Sequence, residues 1–206
     1  LEENYGAEIQ EIGKSTLGKP IYLFSKGNGE TSVLAWSQMH GNESNATLAM
    51  LDLLASLEKN PAPDFWDKIR LDFIFMLNPD GSEIWTRRNI LEIDINRDFL
   101  KESSIEMKIL KKQAFSKKYD YALNLHEQRT IFSTDFENPA TLSFLSPSED
   151  VERNLTENRK KSIAVIAEIY QQLKPEIPNN IGRYTDIFYP TSSGDNFMKA
   201  GKTNGK

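Results

Sequence analysis

The chain has 206 residues with a net charge of −5; 38% of residues are hydrophobic and 27% charged, and 11 Phe, 7 Tyr and 3 Trp supply aromatic bulk. That is enough apolar material for one core-bearing domain, which excludes global disorder. The acidic balance argues against a nucleic-acid partner, and no apolar run of 18 residues exists to form a membrane span. With no Cys there is no disulfide framework and no thiolate metal site. The two histidines, His40 and His126, are the whole supply of imidazole.

Leu1–Glu3 lacks the basic and apolar regions of a signal peptide, and the compartment is left open. Glu8–Gly13 and Pro20–Ser25 read as short strands around a Ser-Thr-Leu-Gly turn. Ser32–Gln38 is a short apolar run after Gly27-Asn28-Gly29 and reads as a buried strand. Asn45–Lys59 carries Leu48, Leu51, Leu54 and Ala55 at helical spacing. Ile69–Leu77 is the clearest buried strand, stopped by Asn78-Pro79-Asp80-Gly81. Ser103–Ser116 reads as a helix capped by Ser103 or Ser104, and Tyr121–Leu125 as a strand leading straight into His126. Val151–Lys174 reads as a long helix with a stripe of Ile163, Ile166, Ile169, Tyr170 and Leu173. Strands alternating with helices imply an α/β domain, a three-layer sandwich with a mixed, mainly parallel sheet and helices on both faces. In such sheets ligands gather beyond the carboxyl ends of strands.

His40 and Glu43 form H-x-x-E just after a buried strand, where Gly41 permits a sharp turn. An imidazole nitrogen and a carboxylate oxygen suit Zn²⁺, and His126 is the remaining imidazole, also at a strand end. Two ligands close in sequence and one distant leave a position open for water, the mark of a catalytic rather than a structural zinc. The alternative is two ordinary partly buried histidines, against which stand the two strand-end positions and the carboxylate three residues after His40. Arg87-Arg88-Asn89 and Asp94-Ile95-Asn96-Arg97 add permanent cations and directional donors suited to clamping a carboxylate or stabilising an oxyanion, or else form a solvated arginine-rich loop.

Taken in order, Gly13–Ile21, His40-Gly41-Asn42-Glu43, Asn78-Pro79-Asp80-Gly81, Asp94-Ile95-Asn96-Arg97, Asn124-Leu125-His126 and Tyr189–Asp195 resemble the motifs of the M14-type zinc carboxypeptidases, the carboxypeptidase A family. The resemblance implies that residues 1–206 form a single catalytic domain holding one Zn²⁺ per chain through His40, Glu43 and His126. It implies that Asn96 and Arg97 hold the substrate's terminal carboxylate, that Arg87 (or Arg88) stabilises the oxyanion, and that Tyr189 closes over the bound residue. Asp195 or Asn196 would face the side-chain pocket; alternatively, Asp195 caps a short helix beginning near Asn196. The implied function is hydrolysis of a C-terminal peptide bond in a peptide or peptide-like substrate with a free carboxylate, without nucleic-acid or membrane partners. Oligomeric state is not readable.

Two departures stand out. Glu92 occupies a position where the family usually has Gly, in the loop that carries Arg87. The family's general-base glutamate lies on a strand after the mobile tyrosine, and no Glu follows Glu176 here, so the sequence reads as truncated before that strand, with Glu127 as a conceivable substitute. The competing readings are a same-fold zinc amide deacylase acting on N-acyl amino acids or a peptidoglycan peptide, and a metal-binding pseudoenzyme lacking the base.

Overall fold

The structure is a computed structural model that describes residues 8–60, 62–128, 132–185, 187–201 and 204–205. The chain divides into two compact units, residues 1–127 and 128–206.

The first unit contains, in order, β1 (Glu8–Lys14), β2 (Pro20–Lys26), β3 (Thr31–Trp36), α1 (Asn45–Lys59), α2 (Pro63–Lys68), β4 (Ile69–Phe75), α3 (Pro79–Glu83), α4 (Ile105–Ser116) and β5 (Tyr121–Asn124). Its strands lie in the order β1-β2-β4-β3-β5. β2 is antiparallel to β1 and β4, whereas β3 is parallel to both β4 and β5, so the sheet is mixed.

Residues of one parity along β2, β3 and β4 build a core with α1: Phe24, Ala35, Leu71 and Phe73 pack with Met50 and Leu54. Each of the Phe, Leu and Met side chains contributes about 1.5–3 kcal/mol through removal from water. The opposite parity points to the other face, where Asp72 of β4 is fully buried. Its carboxylate accepts from Ser25 Oγ (2.8 Å) and Tyr119 OH (2.5 Å) and pairs with Lys117 Nζ (2.6 Å). Gln113 of α4 donates to Tyr119 OH at 2.7 Å, which ties that helix to this face. α4 begins where Ser104 Oγ accepts the Met107 N–H, so of the two candidate caps Ser104 serves.

The second unit contains β6 (Leu142–Phe144), α5 (Glu157–Leu173), β7 (Ile181–Arg183), α6 (Ser193–Lys199) and β8 (Asn204–Gly205). β6 and β7 pair in parallel; three-residue strands carry too little alternation to be read from sequence. α5 starts at Glu157, six residues later than Val151. Asp150 accepts from both the backbone and side-chain nitrogens of Asn154 at 3.0 Å, a local alternative to helical bonding, and Thr156 then caps the helix by accepting from Arg159 N–H. Among the described residues no helix is long and apolar enough to cross a membrane.

Candidate metal centre and active site

The adjacent parallel strands β3 and β5 set the site. Trp36 is registered opposite Asn124, and Leu125 N–H bonds Trp36 O at 3.0 Å, so the segments carrying His40 and His126 leave from the same end of the sheet. Beyond β3 and β4 the chain turns sharply at Gln38 and Met76, both at positive φ, and stays zipped: Asn78 N–H donates to Gln38 O at 3.0 Å. Gln38 Nε2 then donates to Gly41 O (3.0 Å) and Ser82 Oγ (2.9 Å). Gly41 is pressed against α3 so closely that a Cβ there would fall 2.1 Å from the Gly81 carbonyl carbon. The His40–Glu43 turn is thereby fixed against the Asn-Pro-Asp-Gly turn, which is itself capped by Asn78 Oδ1 accepting from Gly81 N–H.

His40, Glu43 and His126 each offer a ligand atom, all within 4.8 Å of one another. His40 Nδ1 lies 2.8 Å from Glu43 Oε1, and His126 Nδ1 lies 2.7 Å from Glu43 Oε2. The imidazoles face each other with ring centroids 4.6 Å apart. Glu127 N–H also donates to Glu43 Oε2 at 3.2 Å.

The donor set tests well against zinc. His40 Nε2 lies 3.2 Å from Asp94 Oδ1, so the proton belongs on Nε2 and the Nδ1 lone pair points at the Glu43 carboxylate. A lone pair facing a carboxylate oxygen at 2.8 Å needs a cation, or an added proton, between them. Arg87 Nη1 sits 3.2 Å from the same Nδ1 and 3.5 Å from Glu43 Oε1, which further marks this point as one that attracts positive charge. Two imidazole nitrogens and one carboxylate are the ligand types that Zn²⁺ takes, with tetrahedral ligands roughly 3.4 Å apart for bonds of about 2.1 Å.

Burial alone would raise the Glu43 carboxyl, but its contacts with the His126 and His40 imidazoles outweigh it and hold the group well below the usual carboxylate range. Asp94 behaves likewise: burial opposes ionisation, and the His40 contact followed by the charge of Arg87 overcomes it. Arg87 Nε donates to Asp94 Oδ2 at 3.1 Å. Asp94 therefore links the back of His40 to the arginine, a role that sequence reasoning missed. The signal was present, because Asp94 opens the Asp-x-Asn-Arg motif.

Asn96 and Arg97 follow in a 3₁₀ turn, Ile95–Arg97, started by Asp94 Oδ1 accepting from Asn96 N–H at 3.0 Å. Asn96 is buried, and Arg97 is exposed, lining a surface hollow with Arg88, Asp94, Asp98 and Lys101. Arg88 donates to Glu92 O at 2.8 Å, away from the His40–Glu43 contact that Arg87 makes. Glu92 adopts φ +60°, which explains why Gly suits that position. Glu127, weighed above as a substitute base, accepts from Asn45 N–H (3.3 Å) at the start of α1, where Ser44 makes no side-chain cap.

Within the second unit, Tyr189 is 50% exposed. Asp195 lies in the first turn of α6 and is only 4% exposed; its two oxygens accept from Ser148 N–H (2.9 Å) and Tyr189 N–H (3.1 Å). The helix starts at Ser193, so Asp195 is inside it rather than at its cap. Asn196 Nδ2 donates to Pro190 O and Ser192 O.

The sequence profile of the zinc carboxypeptidase family, Peptidase M14, matches residues 4–119. Murein peptide amidase A of Vibrio campbellii is 33% identical over 90 residues, 42% of this chain and 33% of that protein. A metallo-carboxypeptidase from Burkholderia cenocepacia superposes with a TM-score of 0.76 at 18% identity, covering 99% of this chain and 56% of that one. Carboxypeptidase A from Helicoverpa armigera gives a TM-score of 0.76 at 16% identity, covering 99% and 59%. This chain thus spans a third of the Vibrio protein and less than two thirds of either structural relative. The fold is that of the carboxypeptidases, and with its profile match over more than half its length, the chain belongs to the zinc carboxypeptidase (M14) family, whose members are zinc-dependent.

Proposed function

We propose that this chain is a zinc metallocarboxypeptidase hydrolysing the C-terminal peptide bond of a peptide or peptide-like substrate. The observation that carries the reading is the convergence of His40, Glu43 and His126 on one point with Arg87 beside it. In this reading one Zn²⁺ per chain is held by those three side chains, and residues 1–206 belong to one catalytic domain. When bound, the zinc supplies Lewis acidity to the scissile carbonyl and to the attacking water. Arg87, fixed by Asp94, presents its guanidinium where oxyanion charge develops. Asn96 and Arg97 receive the terminal carboxylate, and Tyr189 covers the bound residue. Asp195 fits a supporting role, holding the Tyr189 backbone, better than that of a side-chain selector, since both of its oxygens are occupied.

The similarity to murein peptide amidase A favours a second reading within the same chemistry, cleavage of an amide bond in a peptidoglycan-derived peptide that also ends in a free carboxylate. A panel on zinc-loaded protein separates the two: peptides ending in Lys, Glu or Phe, the same peptides amidated, and a peptidoglycan tripeptide. Hydrolysis of free-ended peptides supports the first reading, turnover of the peptidoglycan peptide alone the second, and turnover of neither by zinc-loaded protein contradicts both.

A further inference from the structure

Glu106 is the least expected residue in α4. It is fully buried in the first turn, next to the apolar Met107 and close in sequence to Ile109 and Leu110, which are also buried. Its Oε2 accepts from Asn89 Nδ2 at 3.0 Å, and its Oε1 has no hydrogen-bond partner among the described residues. Burying a carboxylate with one oxygen unserved is costly, and the favourable helix N-terminus offsets only part of that.

What Glu106 does hold is specific. Asn89 is itself buried, and its Oδ1 accepts from Leu91 N–H (3.1 Å) and Ile93 N–H (3.0 Å), while its backbone N–H bonds Ile93 O at 3.1 Å. One side chain thus closes the loop 89–93. Just outside that loop lie Arg87, two residues before it, and Asp94, directly after it, which bond each other and reach His40 from two sides. The loop also carries the strained Glu92, so it needs an external hold to keep its shape.

We propose that Glu106 is a positioning residue for the candidate metal centre, acting through Asn89 to fix the loop that presents Asp94 to His40 and Arg87 to Glu43. The proposal rests on the zinc reading given above for its consequence, but not for its mechanism. Glu106→Leu removes the acceptor, Glu106→Gln keeps an oxygen for Asn89, and Leu110→Ala destabilises the same helix one turn further along.

The first measurement is amide hydrogen exchange at Leu91 and Ile93 in zinc-free protein. Exchange should accelerate at least tenfold in Glu106→Leu, return to within twofold of wild type in Glu106→Gln, and stay near wild type in Leu110→Ala. Equal acceleration in Glu106→Leu and Leu110→Ala would show a general loss of stability and overturn the proposal. The second is zinc affinity by chelator competition. Glu106→Leu should weaken it about tenfold in the native background, the scale typical of residues behind a metal ligand, and less than twofold when Asp94 is already Asn. The same loss in both backgrounds overturns the proposed route. If wild type fails to bind zinc, the metal reading fails, and hydrogen exchange alone still decides the role of Glu106.

Discussion

Asp94 Oδ1 lies 3.2 Å from Nε2 of His40, while Glu43 lies 2.8 Å from the other ring nitrogen of the same imidazole. This arrangement sets the tautomer of His40 and aims its Nδ1 at the proposed metal position. Asp94→Asn removes the anionic acceptor while keeping the shape. The expected result is a 10- to 100-fold loss of zinc affinity by chelator competition with the circular dichroism spectrum unchanged. Unaltered affinity would show that Asp94 only organises its loop.

Arg97 is expected to read a free carboxylate. Arg97→Ala should raise KM for peptides with a free C-terminus far more than for amidated ones, by the equivalent of about 2–5 kcal/mol where the contact is desolvated. Equal effects on both substrates would remove the assignment.

Glu92 tests the loop in the other direction. At φ +60° a non-glycine residue is strained, by about 1–2 kcal/mol, partly offset by the backbone freedom that glycine loses on folding. Glu92→Gly should raise stability by up to about 1 kcal/mol in urea titrations, and Glu92→Val should lower it. The reverse order would mean that the Glu92 side chain makes a compensating contact.

The sequence carried the fold where periodicity was strong. Asn45–Lys59 matches α1 because its apolar residues repeat at helical spacing and Pro61 follows, and Ile69–Phe75 stands out because both its faces are covered. The start of α5 was misplaced because the Asp150–Asn154 turn mimics a helix start within a helical composition. The two parallel histidine-bearing segments were legible as strand ends, and their register was not, since pairing is a tertiary property. The same limit hid Asp94 and Glu106, whose partners lie 54 and 17 residues away. The spacing after Tyr189 offers Asp195 or Asn196 to a pocket, or Asp195 to a helix cap; that the Asp195 oxygens meet the Ser148 and Tyr189 amides is a tertiary contact that no spacing rule reveals.

Acid stability should report on Asp72. Burial pushes its carboxyl up, but hydrogen bonds from Lys117, Tyr119 and Ser25 and the charge of Lys117 hold it below its ordinary value. A carboxyl depressed in the folded state contributes stability above the unfolded value of about 4, and loses it as pH falls through the folded one. Tyr119 is correspondingly pushed up, by burial first and then by Asp72, so it remains a donor throughout. Urea stability should therefore fall from pH 5 to pH 3 in wild type, and less steeply in Asp72→Asn. Parallel slopes would place the acid sensitivity elsewhere.

The central claim is a zinc ion held by His40, Glu43 and His126, and its most direct test is metal stoichiometry after zinc loading and desalting. Wild type should retain one zinc per chain, and Glu43→Ala and His126→Ala should each retain almost none while keeping the wild-type circular dichroism spectrum. Folded wild type without zinc, or stoichiometric zinc in either variant, would contradict the assignment.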